Sequence, residues 1–245
     1  MRQPLKRFMQ RHPEIFNPIW PIVYPLIRSG SGEIASSFDD NFRGFSKIYA
    51  DNLWGDSESR SGWGSTLAFT APLRKDLAKL LASMNVKTIL DAPCGDFHWM
   101  SRVSLPQGTN YIGADIVREL ITALDRRYAD SPCHEFRVID IVKDPIPSAD
   151  LWLCRDVLFH LPAADGLAVL RNFASSAIPY LLTTTYDFVT VNLDTRPGGF
   201  RYINLRRPPY GLGKPRLRIP DFIAPAPPRY LGLWSREDVS AALSL

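Results

Sequence analysis

Thr88-Ile89-Leu90-Asp91-Ala92-Pro93-Cys94-Gly95-Asp96 is the stretch from which the architecture can be read. A short apolar run reaches an acid and then a loop holding proline and glycine. Such a run, stopped by a tight turn, reads as a strand buried on both faces of a parallel sheet. Working outward, residues 111–116, 136–142, 151–157 and 180–186 give further strand signals. Leu73, Leu77, Leu80 and Leu81 follow helical spacing within 70–84, and helices are expected over 97–103, 117–128 and 163–175. Strand–helix alternation predicts an α/β fold: a doubly wound, mostly parallel sheet with helices on both faces. A late strand, expected antiparallel, reads from 229–235. A short helix follows, capped by Ser235 with Glu237 and Asp238 in its first turn.

The 245 residues, 45% hydrophobic, suffice for one sizeable core but are short for two. Residues 1–45 read as an N-terminal arm and 46–245 as the domain. Within the domain, 187–228 form a basic loop rich in proline and glycine, too long to be a simple connection. The arm is basic (Arg2, Lys6, Arg7, Arg11) and then apolar over 15–27, with Pro18, Pro21 and Pro25 interrupting. That run falls short of the ~20 apolar residues a spanning helix needs, so no transmembrane segment is expected. A peripheral membrane contact, or packing on the domain or a partner, stays open for the arm. Three cysteines (Cys94, Cys133, Cys154) without a ligand cluster around them predict a cytoplasmic setting and no metal.

Charge is uneven. The chain carries +4, yet residues 194–218 alone hold seven basic residues against one acid. An excess that local points to an anionic partner or to a solvated loop.

In an open α/β sheet, ligands bind beyond the carboxyl ends of the strands. Three successive strands deliver acids to that edge: Asp91, Asp115 and Asp140. The bland alternative is that they cap helices. Residues 91–95 resemble motif I of the class I S-adenosylmethionine-dependent methyltransferases, an acid ahead of a glycine-bearing loop. Asp115 falls 24 residues on, where that family's ribose-binding acid falls. Asp140-Ile141 matches the position whose acid meets the adenine amino group, and 155–161 (RDVLFHL) resembles the segment after the fourth strand. Pro93 and Phe97 depart from motif I, leaving Gly95 as its one glycine. The resemblance covers about 49–186. It implies S-adenosylmethionine as cofactor, held by Asp91, Ala92, Pro93, Cys94, Gly95, Asp115, Ile116, Asp140, Ile141 and Arg155.

Ahead of the first strand, Tyr49, Trp54 and Ser59-Arg60-Ser61-Gly62-Trp63-Gly64-Ser65-Thr66 form a second cluster. Backbone N–H groups around Gly62 and Ser65, or Arg60, suit a carboxylate, and Trp54 could cover the site. The alternative is a helix entry capped by Ser65 or Thr66.

His160, just past the fourth strand, is the candidate base, with Asp156 as a second catalytic candidate; His160 could equally satisfy a backbone carbonyl. Tyr186, Arg201, Arg206 and Arg207 are candidates for holding a small, anionic acceptor. The expected reaction is methyl transfer to an oxygen or nitrogen. An RNA methyltransferase would also use a basic loop, but its basic residues lack an interleaved stacking platform. A non-catalytic methyltransferase-like partner subunit is the third class. No G-x-G-x-x-G follows the first strand, which argues against a dinucleotide.

Overall fold

A computed structural model of the chain describes residues 38–54, 56–223 and 226–244. Most of the predicted arm, residues 1–37, lies outside them. The elements run α1 (Asn41–Ala50), α2 (Leu67–Ser83), β1 (Thr88–Asp91), β2 (Asn110–Asp115), α3 (Arg118–Arg127), β3 (His134–Val138), β4 (Leu151–Cys154), α4 (Ala163–Ser175), β5 (Tyr180–Thr185), β6 (Leu217–Pro220), β7 (Tyr230–Ser235) and α5 (Arg236–Ala242). Seven strands form one sheet in the order β3-β2-β1-β4-β5-β7-β6. The first five are parallel, and β7 runs antiparallel between β5 and β6.

Alternation along the buried strands builds two apolar layers. Leu90, Trp152, Cys154 and Leu181 face one layer, closed by α4 and α5. Ile89, Leu151, Leu153 and Leu182 face the other, closed by α2 and α3. Helix ends follow the local chemistry. Thr66 caps α2 by accepting from the Phe69 amide, and Ser235 and Asp238 form a reciprocal capping box on α5.

Departures from the expected elements have local causes. Residues 97–103 form only a 3-10 turn, Met100–Arg102. Phe97 sits at φ +56°, outside the helical region, with its ring packed among Tyr111, Tyr128 and Phe136. The third strand ends at Val138, before Asp140, whose Oδ1 accepts from the Val142 amide in a turn. The fourth ends at Cys154, because Asp156 adopts φ +57°. Helix α1 runs across position 45/46, where the arm was expected to end.

The basic segment is packed. Ile203, Leu205, Tyr210 and Leu212 are buried in the main core. Leu205 N donates to Thr185 Oγ1, and Tyr186 N donates to Ile203 O, so the segment is fastened to the end of β5. It also contains the edge strand β6. With Ile219 its one buried residue, β6 has no apolar pattern to read.

Arg201 is 2% exposed, donating to Leu161 O and to Tyr210 Oη. Arg201→Gln should therefore act on stability, leaving buried acceptors unpaired at a cost of about 1–3 kcal/mol. Urea unfolding reads this, and an unchanged midpoint would contradict the assignment.

Candidate active site

The carboxyl ends of β1, β2, β4 and β5 open into one continuous cavity of about 390 Å³, within the usual range for small-molecule sites. Every residue expected at the site lines it except Ala92, Arg201, Arg206 and Arg207. Ala92 is fully buried in the core behind the motif loop.

The motif loop is held from both sides. Cys94 N donates to Ala114 O at the end of β2, and burial pushes the Cys94 thiol well above its ordinary range, so it packs rather than reacts. Gly95 sits at φ +53°, and a Cβ there would lie 2.3 Å from Ser61 Oγ. The tightness comes from Asp96. Its carboxylate accepts from Ser59 Oγ, the Arg60 amide and Ser61 Oγ, while its own amide donates to Ser61 Oγ. Asp96 thus clamps the 59–61 segment onto the motif loop and places Gly62 and Ser65 in the cavity wall. The Arg60 guanidinium donates to Tyr49 O and lies over the Tyr49 ring, 5.3 Å from its centroid. It is engaged in holding the end of α1.

The strand-end acids are electrostatically poised. Burial raises Asp91 to about 7, against the opposing pull of the Tyr111 hydroxyl, which donates to it at 2.6 Å. Burial raises Asp115 to about 6, although the Val117 and Gly95 amides donate to it. Asp140 lines the same cavity beyond Ile116 and Ile141.

A four-charge cluster, buried except for the half-buried Asp156, backs the other wall. Arg155 grips Asp221 with two bonds of 3.0 Å and donates to Gly64 O at 2.8 Å. Arg229 Nη2 reaches Asp156 Oδ2 at 2.8 Å and Asp221 Oδ2 at 3.1 Å. Burial alone would raise Asp156, but Arg155 and Arg229 hold it below the ordinary carboxylate range. Asp156 also joins the cluster to Thr184, whose hydroxyl donates to its Oδ1 at 3.0 Å. Sequence reasoning missed Asp221 and Arg229, which lie far from the motifs along the chain.

His160 has its tautomer fixed. Nδ1 donates to Gly199 O at 2.6 Å, so the lone pair is on Nε2. Burial lowers its pKa to about 4, and the ring is neutral near pH 7. Trp54 packs on it at 5.3 Å, with Phe45, Phe159 and Phe200 also around it. The basic segment meets the cavity through Phe200, Tyr202, Ala226 and Pro227, while Arg206 pairs with Asp187 at 3.8 Å and Arg207 is exposed away from the lining. Position along the chain had pointed to the arginines; packing turns the aromatic residues inward. Gly198 N donates to His160 O at 2.9 Å, so the Gly198-Gly199 turn is bonded to His160 on both sides.

No family model matches the sequence, and no curated protein matches it. Solved structures do. PigF with S-adenosylhomocysteine (SAH) is 16% identical, covering 92% of this chain and 72% of its own, with a TM-score of 0.57. Magnesium protoporphyrin IX methyltransferase (ChlM) from Synechocystis PCC 6803, with bound S-adenosylmethionine (SAM), is 13% identical over 82% and 99%, TM-score 0.55. The methyltransferase domain of bacterial CtHen1 is 16% identical over 68% and 98%, TM-score 0.52. The chain has the class I methyltransferase fold. In that fold the cavity falls at the strand ends, where the sheet order reverses beside β1.

Gly95→Ala should destabilise the fold by about 1–2 kcal/mol from the left-handed backbone alone, and more from the collision with Ser61. Ser61→Gly loses the Asp96 bonds on its own account, but in that background the further cost of Gly95→Ala should shrink to the backbone part. If thermal unfolding gives Gly95→Ala the same cost with and without Ser61→Gly, Ser61 is not the neighbour that enforces glycine.

Proposed function

We propose that the chain is a SAM-dependent methyltransferase acting on an oxygen or nitrogen of a small, uncharged acceptor that carries a ring. The observation that carries this reading is the convergence of Asp91, Asp115 and Asp140 on one cavity, with burial holding the first two near 7 and 6. Acids so placed favour a ligand bearing positive charge and several donors. SAM has both: an ammonium and a sulfonium, two ribose hydroxyls and a purine amino group. Asp115 would accept from the ribose hydroxyls, Asp140 from the amino group, and Asp91 would face the cationic portion. Ile116, Ile139 and Ile141 offer the apolar walls a purine needs. When bound, SAM supplies a methyl group on positively charged sulfur.

The chain's own contribution is to hold the acceptor in line and keep water out. His160 Nε2 would receive the acceptor's O–H or N–H and orient its lone pair. A histidine held to about 4 is a weak base, so it orients more than it titrates. The acceptor's character is inferred from the Phe45, Trp54, Phe159, Phe200 and Tyr202 lining. These surfaces stack on rings and offer few partners to an anion. Arg60, Arg155 and Arg229 line the cavity too, but each is committed to protein partners. The anionic acceptor suggested by composition thus gives way to an uncharged one.

The linkage sign follows from raised folded pKa values. Asp91 and Asp115 bind protons more tightly folded than unfolded, so their contribution to stability is full below about 4. It is lost as pH rises through 6–7. The ammonium and ribose hydroxyls, which SAH keeps although it lacks the sulfonium, want both acids ionised. Calorimetry should show SAH affinity falling about tenfold or more from pH 8 to pH 5, with proton release near pH 6. Affinity flat across that range would remove these acids from the site, and absence of SAH binding would remove the function.

With methyl-labelled SAM and a panel of phenols and aromatic amines, label should transfer to at least one member. His160→Ala should slow that transfer about 10²-fold while SAH affinity holds. With SAM saturating at every pH, so that the acids' effect on binding drops out, the wild-type rate should show no histidine ionisation between pH 6 and 8. Transfer to sugar phosphates instead would overturn the uncharged-acceptor assignment.

A further inference from the structure

Asn41 opens helix α1, lines the cavity and is 8% exposed. Its amide has a fixed orientation. Nδ2 donates to Asp165 Oδ2 at 2.7 Å, and the flipped amide would set oxygen against oxygen. Oδ1 is therefore the atom left over. It is buried and has no hydrogen-bond partner among the described residues. An unpaired buried carbonyl oxygen is costly and uncommon. On the wall of a ligand cavity, the ligand is where its partner can come from.

Helix α4 locates Asn41 within the cavity. Asp165, its partner, lies in the first turn of α4. Two turns on, Asn172 Nδ2 donates to Ile141 O at 2.9 Å and to Asp144 O at 2.8 Å. One rigid helix thus fastens Asn41 and the turn that carries Asp140, with about 10 Å of helix between the two anchor points. Helix α1 also packs on α3, which follows the strand ending in Asp115. Asn41 is tied by these contacts to the elements around Asp115 and Asp140. Phe45 and Tyr49, one and two turns on, continue the same face of α1 along the cavity.

A purine amino group has two N–H bonds, and one carboxylate such as Asp140 can take one of them. We propose that Asn41 Oδ1 accepts the other, making α1 a roof that reads the amino group of the bound purine. The proposal rests on the SAM reading above. It assigns a specificity role to a residue that precedes the motif-bearing part of the chain.

The test compares SAH with S-inosylhomocysteine, which has a carbonyl in place of the amino group, by calorimetry. Asn41→Leu and Asn41→Ala are the variants, and thermal unfolding checks that each is folded. Wild type should prefer SAH strongly. Each variant should lose about tenfold in SAH affinity and little for the inosyl analogue, so that the preference narrows by that factor. Equal losses for both ligands would mean that Asn41 only seats the helix, and would overturn the proposal. Unchanged SAH affinity in either folded variant would overturn it as well while leaving the methyltransferase reading intact. A wild-type chain that binds neither ligand would sink both.

Discussion

Four charges, the buried Arg155, Asp221 and Arg229 and the half-buried Asp156, hold the site together. They come from the end of β4, the residue after β6 and the residue before β7. Arg155 adds Gly64 of the segment ahead of α2, and Arg229 adds the Tyr186 hydroxyl at the end of β5. Buried ions are tolerated only when paired with good geometry, and removing one partner leaves an uncompensated charge. The cluster's worth is therefore less in net stability than in register. Each element must arrive at the right place or a charge is stranded. That constraint fixes the edge hairpin against the parallel sheet, although β6 has little apolar surface to hold it.

A second electrostatic theme runs the opposite way. Among the described residues Asp91 and Asp115 have no cationic hydrogen-bond partner, and burial raises both. Their partners are a phenol and backbone amides. A fold that pairs some buried acids fully and leaves others to hydrogen bonds alone separates scaffold from site. Asp156 is held by two arginines, whereas Asp91 and Asp115 meet the cavity with only neutral hydrogen-bond donors. The perturbed acids in the cleft are the functional candidates.

This division marks what the sequence could and could not disclose. Strand β1 and its acid were legible because burial on both faces writes a continuous apolar run, and helices α2, α3 and α4 because one buried face writes helical spacing. Asp115 and Asp140 were legible because a parallel sheet delivers successive strand ends to one edge. The Arg155–Asp221 and Arg229–Asp156 pairs were not, since 66 and 73 residues separate the partners and nothing periodic connects them. Strand β6 was hidden because an edge strand pairs through its backbone. Helix α1 was hidden because the arm's prolines and charges preceded it, and its cavity face is carried by Asn41, Phe45 and Tyr49 alone.

The basic segment shows why composition misdirects at such a site. Its arginines dominate any count of charge, but a guanidinium is useful to a loop in ways unrelated to a ligand. Arg201 ties two stretches of chain together from a buried position. Arg218 and Arg206 share Asp187, and Arg216 grips Asp238 at the capping box of α5. With these four arginines occupied in this way, the segment presents Phe200 and Tyr202 to the cavity. The Gly199 carbonyl then meets His160 Nδ1, so the same packing that aims the aromatic rings also sets which nitrogen of the histidine carries the lone pair. The positive charge of residues 194–218 thus helps shape the cavity wall by fastening the backbone, while the side chains turned to the cavity from this stretch are the Phe200 and Tyr202 rings.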